Sequence, residues 1–218
     1  MPQVSSQPFR DRAEAGDLLA ARLSGLADRD DVIVLALPRG GVPVGYEVAR
    51  SLRVAFDVFV VRKLGVPGHE ELAMGAIASG AVRLVNHDVV DSLGIPRNVI
   101  DRVAQREGVE LERRERLYRG NRPLIPLANK TVVLVDDGLA TGSTMRAAVT
   151  AVRQQQPARI IVAVPVGASS TCQELVDEAD EVICLRSPDP FVAVGLWYHD
   201  FTPTSDDEVR ALLARNEP

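Results

Sequence analysis

Short, unbroken apolar runs alternate along this chain with stretches whose apolar residues recur every three or four positions. VIVLALP (32–38), AFDVFVV (55–61), VVLV (132–135), RIIVAVP (159–165) and VICL (182–185) are runs of the kind found in strands buried on both faces. Helical spacing predicts a helix over 9–26, through Leu18, Leu19, Leu23 and Leu26, and another from the Gly-rich turn after Pro38 to about Leu52. Further helices are predicted over 144–155, 169–178 and 206–215. The charged segment 96–119 repeats Ala104, Leu111 and Tyr118 on one side and predicts a solvated helix laced with ion pairs. Residues 62–80 are rich in glycine and polar side chains and predict a long loop, with short strands over 76–78 and 83–85. Repeated βα units of this length predict an α/β fold. Its core is a doubly wound, mainly parallel sheet with ligands at the carboxyl ends of the strands.

Composition narrows the function classes. A chain of 218 residues suits one domain, 1–218, carrying an insertion or a small appended lobe. With 46% hydrophobic and 25% charged residues it has an ordinary core and a solvated surface. A net charge of −5 supplies no electrostatic footprint for nucleic acid. No stretch is apolar enough to span a membrane, and MPQVSSQPFRDR lacks the apolar centre of a signal peptide. Cys172 and Cys184 fall in predicted helix and strand and are expected as buried free thiols, which points to the cytoplasm. Lys63 and Lys130 are the only lysines in a chain that otherwise uses arginine.

The chemistry concentrates in VVLVDDGLATGSTMRAAV (132–149). Two adjacent carboxylates at a strand end repel one another, so a ligand with hydroxyls, a cation or both would account for them. Next, Ala140, Thr141, Gly142, Ser143 and Thr144 open a helix whose first N–H groups lack intrahelical partners and favour an anion. Gly142 allows close approach of a phosphate, and Thr141, Ser143 and Thr144 add hydroxyl donors. No lysine precedes Ser143 or Thr144, so this is not a Walker A loop. A capping turn after two solvent-facing acids is the bland alternative.

VVLVDDGLATGST resembles the phosphoribosyl-pyrophosphate signature of the type I phosphoribosyltransferases: a hydrophobic strand, two acids, three small or apolar residues, then T-G-x-T. The resemblance implies that Asp136 and Asp137 hold the ribose hydroxyls of phosphoribosyl pyrophosphate (PRPP) and that Ala140 to Thr144 bind its 5-phosphate. PRGGVP (38–43) resembles the family's pyrophosphate loop, with Gly40 and Gly41 exposing backbone N–H groups, Arg39 reaching phosphate oxygens, and a cis peptide between Pro38 and Arg39. VRKLGVPGHEELAMGAI (61–77) resembles the mobile lid, R-K-x-G-x-x-P-G, of the adenine-using branch, which makes Arg62, Lys63, His69 and Glu70 candidates for contacts on closure. DPFVAVGLWYHDF (189–201) resembles the base-stacking segment of hypoxanthine–guanine enzymes. It implies base contacts from Phe191, Val192 and Trp197, within a hood formed by 188–218. Tyr198 is an extra aromatic there, and His199 or Asp200 falls where that branch places an acid that organises the metal–pyrophosphate. The strand ending Leu185-Arg186 offers arginine where a purine-reading lysine would stand.

The family resemblance implies a magnesium-dependent transferase. It would move the 5-phosphoribosyl group of PRPP to a nitrogenous base, purine-like by preference, and release pyrophosphate, as in nucleotide salvage. Mg²⁺ would sit mainly on ligand oxygens, with help from Asp136, Asp137 and Asp200. Asp137, Lys63, Arg62 and Glu70 are the catalytic candidates, Asp137 for the acceptor proton or the developing cation. Expected partners are PRPP, a nucleobase or nucleoside monophosphate, and a second copy in a homodimer. A rival reading is a regulator that senses PRPP without transfer. A sugar-phosphate hydrolase on the same sheet is a third, and it lacks a visible nucleophile.

Overall fold

The computed structural model describes residues 7–215, so the extreme ends of the expected domain and hood, 1–6 and 216–218, lie outside the described residues. Five parallel strands form the main sheet in the order β2-β1-β6-β7-β8: β1 (Val32–Ala36), β2 (Ala55–Val58), β6 (Thr131–Val135), β7 (Arg159–Val166) and β8 (Glu181–Arg186). Every residue of β1 and β6 is buried, as a central strand covered on both faces requires.

Alternate residues of these strands feed two cores. Val34, Ala36, Val133 and Ile161 pack with α1 (Arg12–Arg22), α2 (Gly41–Leu52), α4 (Arg97–Arg119) and α7 (Asp206–Arg215). Ile33, Leu35, Leu134 and Val162 pack on the other side with α5 (Ser143–Arg153) and α6 (Ser169–Val176). A short α3 (His87–Ser92), capped by the Asn86 side chain on Val89 N–H, was not foreseen because it buries no residue.

The expected loop over 62–80 is instead a β-hairpin, β3 (Val61–Val66) and β4 (His69–Ala78), joined by β5 (Val82–Val85) in a separate antiparallel sheet. Gly65 and Gly75 break the strand pattern, yet they stand where neighbouring backbones come close: a Cβ on Gly75 would lie 2.3 Å from the Leu84 carbonyl. The single strand expected over 55–61 is likewise divided, β2 leaving the main sheet at Val58 and β3 starting the second at Val61. The small sheet lies between α4, which receives Leu64 and Met74, and α5, which shares a core with Ala78 and Val82.

Helix α4 is more than a solvated helix, since Ile100, Val103, Leu111, Tyr118 and Arg119 are buried. Arg119 donates through Nε to both carboxylate oxygens of Asp57, each at 2.9 Å, and through Nη2 to the Val58 carbonyl. Cys172 is buried and Cys184 half-buried, both as free thiols. Among the described residues no helix is long and apolar enough to cross a membrane.

The two ends of the described chain meet. Phe9 pairs with Tyr198 in a parallel bridge, its N–H donating to the Trp197 carbonyl and its carbonyl accepting from His199 N–H, both at 2.8 Å. Rings of Phe9, Tyr198 and Phe201 stack in sequence, with centroids 5.4 and 5.1 Å apart.

Candidate active site

The adjoining carboxyl ends of β1 and β6 place the site. After β6 the chain runs through Asp136 and Asp137 into a loop that reverses at Gly142, whose φ of 69° is the left-handed conformation glycine adopts readily. Helix α5 starts at Ser143, and its first turn directs free N–H groups into a recess of about 120 Å³ lined by Asp136 and 138–145. The Thr171 hydroxyl donates to the Ala140 carbonyl at 2.7 Å and braces this loop from α6.

The two acids are held differently. Asp136 Oδ1 accepts from Asp137 N–H at 2.9 Å. Burial first, and then the Asp137 charge, hold the Asp136 carboxyl well above the usual carboxylate range. Asp137 is raised by burial too, against the pull of Arg12. Arg12, which sequence reasoning missed, donates from Nε and Nη2 to Asp137 Oδ2 at 2.9 and 2.8 Å. Tyr198, an extra aromatic by sequence, donates its hydroxyl to the Asp137 carbonyl at 2.7 Å.

The 38–43 loop lies directly on these acids. The Pro38–Arg39 peptide is cis. A Cβ on Gly40 would stand 2.1 Å from Asp137 Oδ2, and one on Gly41 would stand 2.7 Å from the Val135 carbonyl. Close approach is what these glycines supply. The expectation that both present N–H groups to a ligand is corrected in part, because Gly41 N–H donates to the Leu37 carbonyl at 3.1 Å. Arg39 Nη1 stands 3.8 Å from Asp206 Oδ1, the oxygen that also accepts from the Tyr118 hydroxyl at 2.7 Å.

Gly40→Ala isolates the steric requirement, because Gly40 already has φ −59°, a conformation alanine adopts without strain. The added methyl must displace the Asp137 carboxylate from Arg12, so PRPP affinity is expected to fall about tenfold or more, the scale of one charge-assisted hydrogen bond. Calorimetric titration checks this, and unchanged affinity would show that the carboxylate can move freely.

The lid candidates separate. Arg62 points at α4, where Nε and Nη2 donate to Glu107 Oε2 at 3.0 and 2.6 Å, so it is tied to a helix. Lys63 is exposed, with no ion-pair partner among the described residues. Glu70 accepts from Gly68 N–H at 3.2 Å and caps its own turn, beside an exposed His69.

In the C-terminal segment Phe191 and Trp197 are half-buried against Phe9, Val166 and Tyr198, while Val192 is 73% exposed. Asp200 Oδ1 accepts from both the N–H and the hydroxyl of Thr202, at 2.9 and 2.6 Å, which commits that oxygen locally. His199 is exposed.

A family model described as "Phosphoribosyl transferase domain" matches residues 10–201. The chain is 47% identical over 207 residues to a Mycobacterium tuberculosis protein provisionally named a phosphoribosyl transferase, covering 95% of this chain and 46% of that protein. It thus spans about half the length of that curated relative. It is 28% identical over 123 residues to the bifunctional protein PyrR of Deinococcus radiodurans, over 54% of this chain and 65% of that one. Among solved structures, TT1426 of Thermus thermophilus superposes with a TM-score of 0.87 at 40% identity, covering 97% of this chain and all of that one. The parallel sheet with its flanking helices, the acid pair and the recess after β6, and the match over 10–201 place this chain in the phosphoribosyl transferase domain family.

Proposed function

We propose that this protein transfers the 5-phosphoribosyl group of PRPP to a nitrogenous base of purine-like size, with Mg²⁺, releasing pyrophosphate in the cytoplasm. The observation that carries this reading is the recess at the start of α5, which has Asp136 on its rim and Asp137 next in the chain. A phosphate dianion fits the helix N-terminus, and a ribose diol suits the open oxygens of the two acids.

Breaking the bond from ribose C1 to pyrophosphate develops positive charge on the sugar, as in glycoside cleavage. The protein has little covalent work to do. It holds the sugar, keeps water away and places charge near the leaving group. The donor set at the strand end is two carboxylates, which suits Mg²⁺ bound mostly through ligand oxygens, with Asp136 and Asp137 in support. Bound Mg²⁺ would neutralise charge on the departing pyrophosphate. Asp200 Oδ1 already serves Thr202, so help from Asp200 would come through its other oxygen.

The decisive experiment incubates a panel of bases with PRPP and Mg²⁺ and follows pyrophosphate release. Ligand binding is checked separately by thermal shift. PRPP at a hundred times its dissociation constant should stabilise the wild type by about 2.7 kcal/mol, and Asp136→Asn with Asp137→Asn should remove the shift. A full shift in the double variant would refute the ribose assignment.

One observation favours a second reading, a PRPP-sensing regulator. Arg62, one of two adjacent cations on the lid, is bonded through two of its three nitrogens to Glu107 and would have to give up that pair to turn them on pyrophosphate. Tight PRPP binding with no turnover on any base would select that reading.

A further inference from the structure

Each acid of the pair has one oxygen engaged and one open. Asp136 Oδ1 takes Asp137 N–H, and Asp137 Oδ2 takes two N–H groups of Arg12. Neither Asp136 Oδ2 nor Asp137 Oδ1 takes a bond from a basic side chain among the described residues, and the two carboxyls lie within hydrogen-bonding reach of each other. Two open carboxylate oxygens on consecutive residues are an acceptor pair for a vicinal diol.

Arg12 is itself fixed. It comes from the first turn of α1, 125 residues from Asp137 in sequence. Its Nη1 donates to the Thr202 carbonyl at 2.8 Å, and its guanidinium carbon lies 4.0 Å from the centre of the Phe201 ring. Only 11% of the Arg12 side chain and 15% of the Asp137 side chain are exposed. Gly40 lies against the same Oδ2, and the Tyr198 hydroxyl holds the Asp137 backbone. A guanidinium gripped by a carbonyl and a ring cannot follow a swinging carboxylate, so it sets the direction in which Oδ1 faces.

We propose that Arg12 is a positioning residue that gives the site its preference for ribose over deoxyribose. It offsets one of two adjacent charges and locks Asp137 so that Oδ1 meets a sugar hydroxyl. The proposal rests on the ribose-phosphate reading above and adds to it the residue that makes the second acid a rigid acceptor.

The test uses calorimetry with ribose 5-phosphate and 2-deoxyribose 5-phosphate on wild type, Arg12→Ala and Arg12→Lys, beside the melting temperature of each protein without ligand. Wild type should prefer ribose 5-phosphate by about tenfold, the scale of one hydrogen bond to a charged acceptor. Arg12→Ala should lose that preference while binding the deoxy sugar about as well as wild type. Arg12→Lys should restore part of it, because an ammonium keeps the charge but not the fork. Should Arg12→Ala fail to fold, Arg12→Lys carries the test through a ratio several-fold below that of wild type. An equal loss for both sugars would make Arg12 structural only and overturn the proposal. Tighter ribose binding by Arg12→Ala would make it a competitor of the sugar, which also overturns it. Wild type that binds both sugars equally keeps the phosphate recess and removes the diol role. Wild type that binds neither removes the ribose-phosphate reading, and the role of Arg12 with it.

Discussion

Asp57→Ala is expected to destabilise the protein by about 3–5 kcal/mol, the scale for stranding one partner of a buried ion pair. The Arg119 and Asp57 side chains are only 4% and 8% exposed, and the guanidinium left behind keeps only Glu115 Oε1, at 3.1 Å, and the Val58 carbonyl as partners. Asp57 also accepts from Val58 N–H at 2.7 Å, and alanine orphans that donor as well. For a chain of this size the loss corresponds to a melting-temperature drop of about 10 °C or more. Chemical denaturation of Asp57→Ala beside Asp57→Leu with Arg119→Met separates the causes. The paired apolar replacement should recover much of the loss, since a stranded charge costs more than a missing pair. A loss below about 1 kcal/mol for Asp57→Ala would show that Arg119 swings out to solvent. The pair joins the end of β2 to the end of α4 just before the chain enters the lid sheet, so its loss should also loosen the hairpin.

Lys63→Ala is expected to lower turnover about a hundredfold, the scale of removing one charged donor from a closed site, with PRPP affinity changed much less. Lys63 is the exposed cation of the hairpin, whereas Arg62 is held by Glu107 at 2.6 Å. The two neighbours should therefore behave differently. Arg62→Ala should resemble Glu107→Ala, because either change frees β3 from α4, and both should alter stability alongside turnover. Initial rates with the best base and calorimetric PRPP affinity on the three variants give the comparison. Wild-type turnover in Lys63→Ala would remove that residue from the reaction, and a purely kinetic defect in Arg62→Ala would show that its bond to Glu107 breaks in the working enzyme.

What could be read from the chain follows how local each signal is. The acid pair, the turn at Gly142 and the start of α5 lie within one strand-loop-helix unit, so the sequence displays their arrangement directly. The parallel strands were legible because β1, β6 and β7 are continuous apolar runs. The hairpin was not, because Gly65 and Gly75 read as loop residues until the backbones they accommodate are seen. Arg12 carries no local signal: its partner is 125 residues away and nothing in FRDRAEAG marks it among many arginines. Tyr198 read as a spare aromatic and Phe201 was not singled out, and only the fold shows that one bonds Asp137 and the other lies against Arg12. Arg62 was recognisable as a lid cation, but the Glu107 that holds it comes from a helix whose charges all looked solvated.

The grip on Asp137 also orders the birth of the protein. Arg12 and Thr202 are 190 residues apart, and closing a segment that long costs on the order of 5 kcal/mol of chain entropy before any contact repays it. Synthesis runs from the N-terminus, so a nascent chain can complete the βα units around the phosphate recess while the tail carrying Tyr198, Phe201 and Thr202 is still inside the ribosome. Such a chain would own a phosphate cup without a fixed diol acceptor. Under the proposed role of Arg12, sugar selectivity would be acquired last, as the tail settles over the first helix, and a ligand that needs both acids would favour that final step.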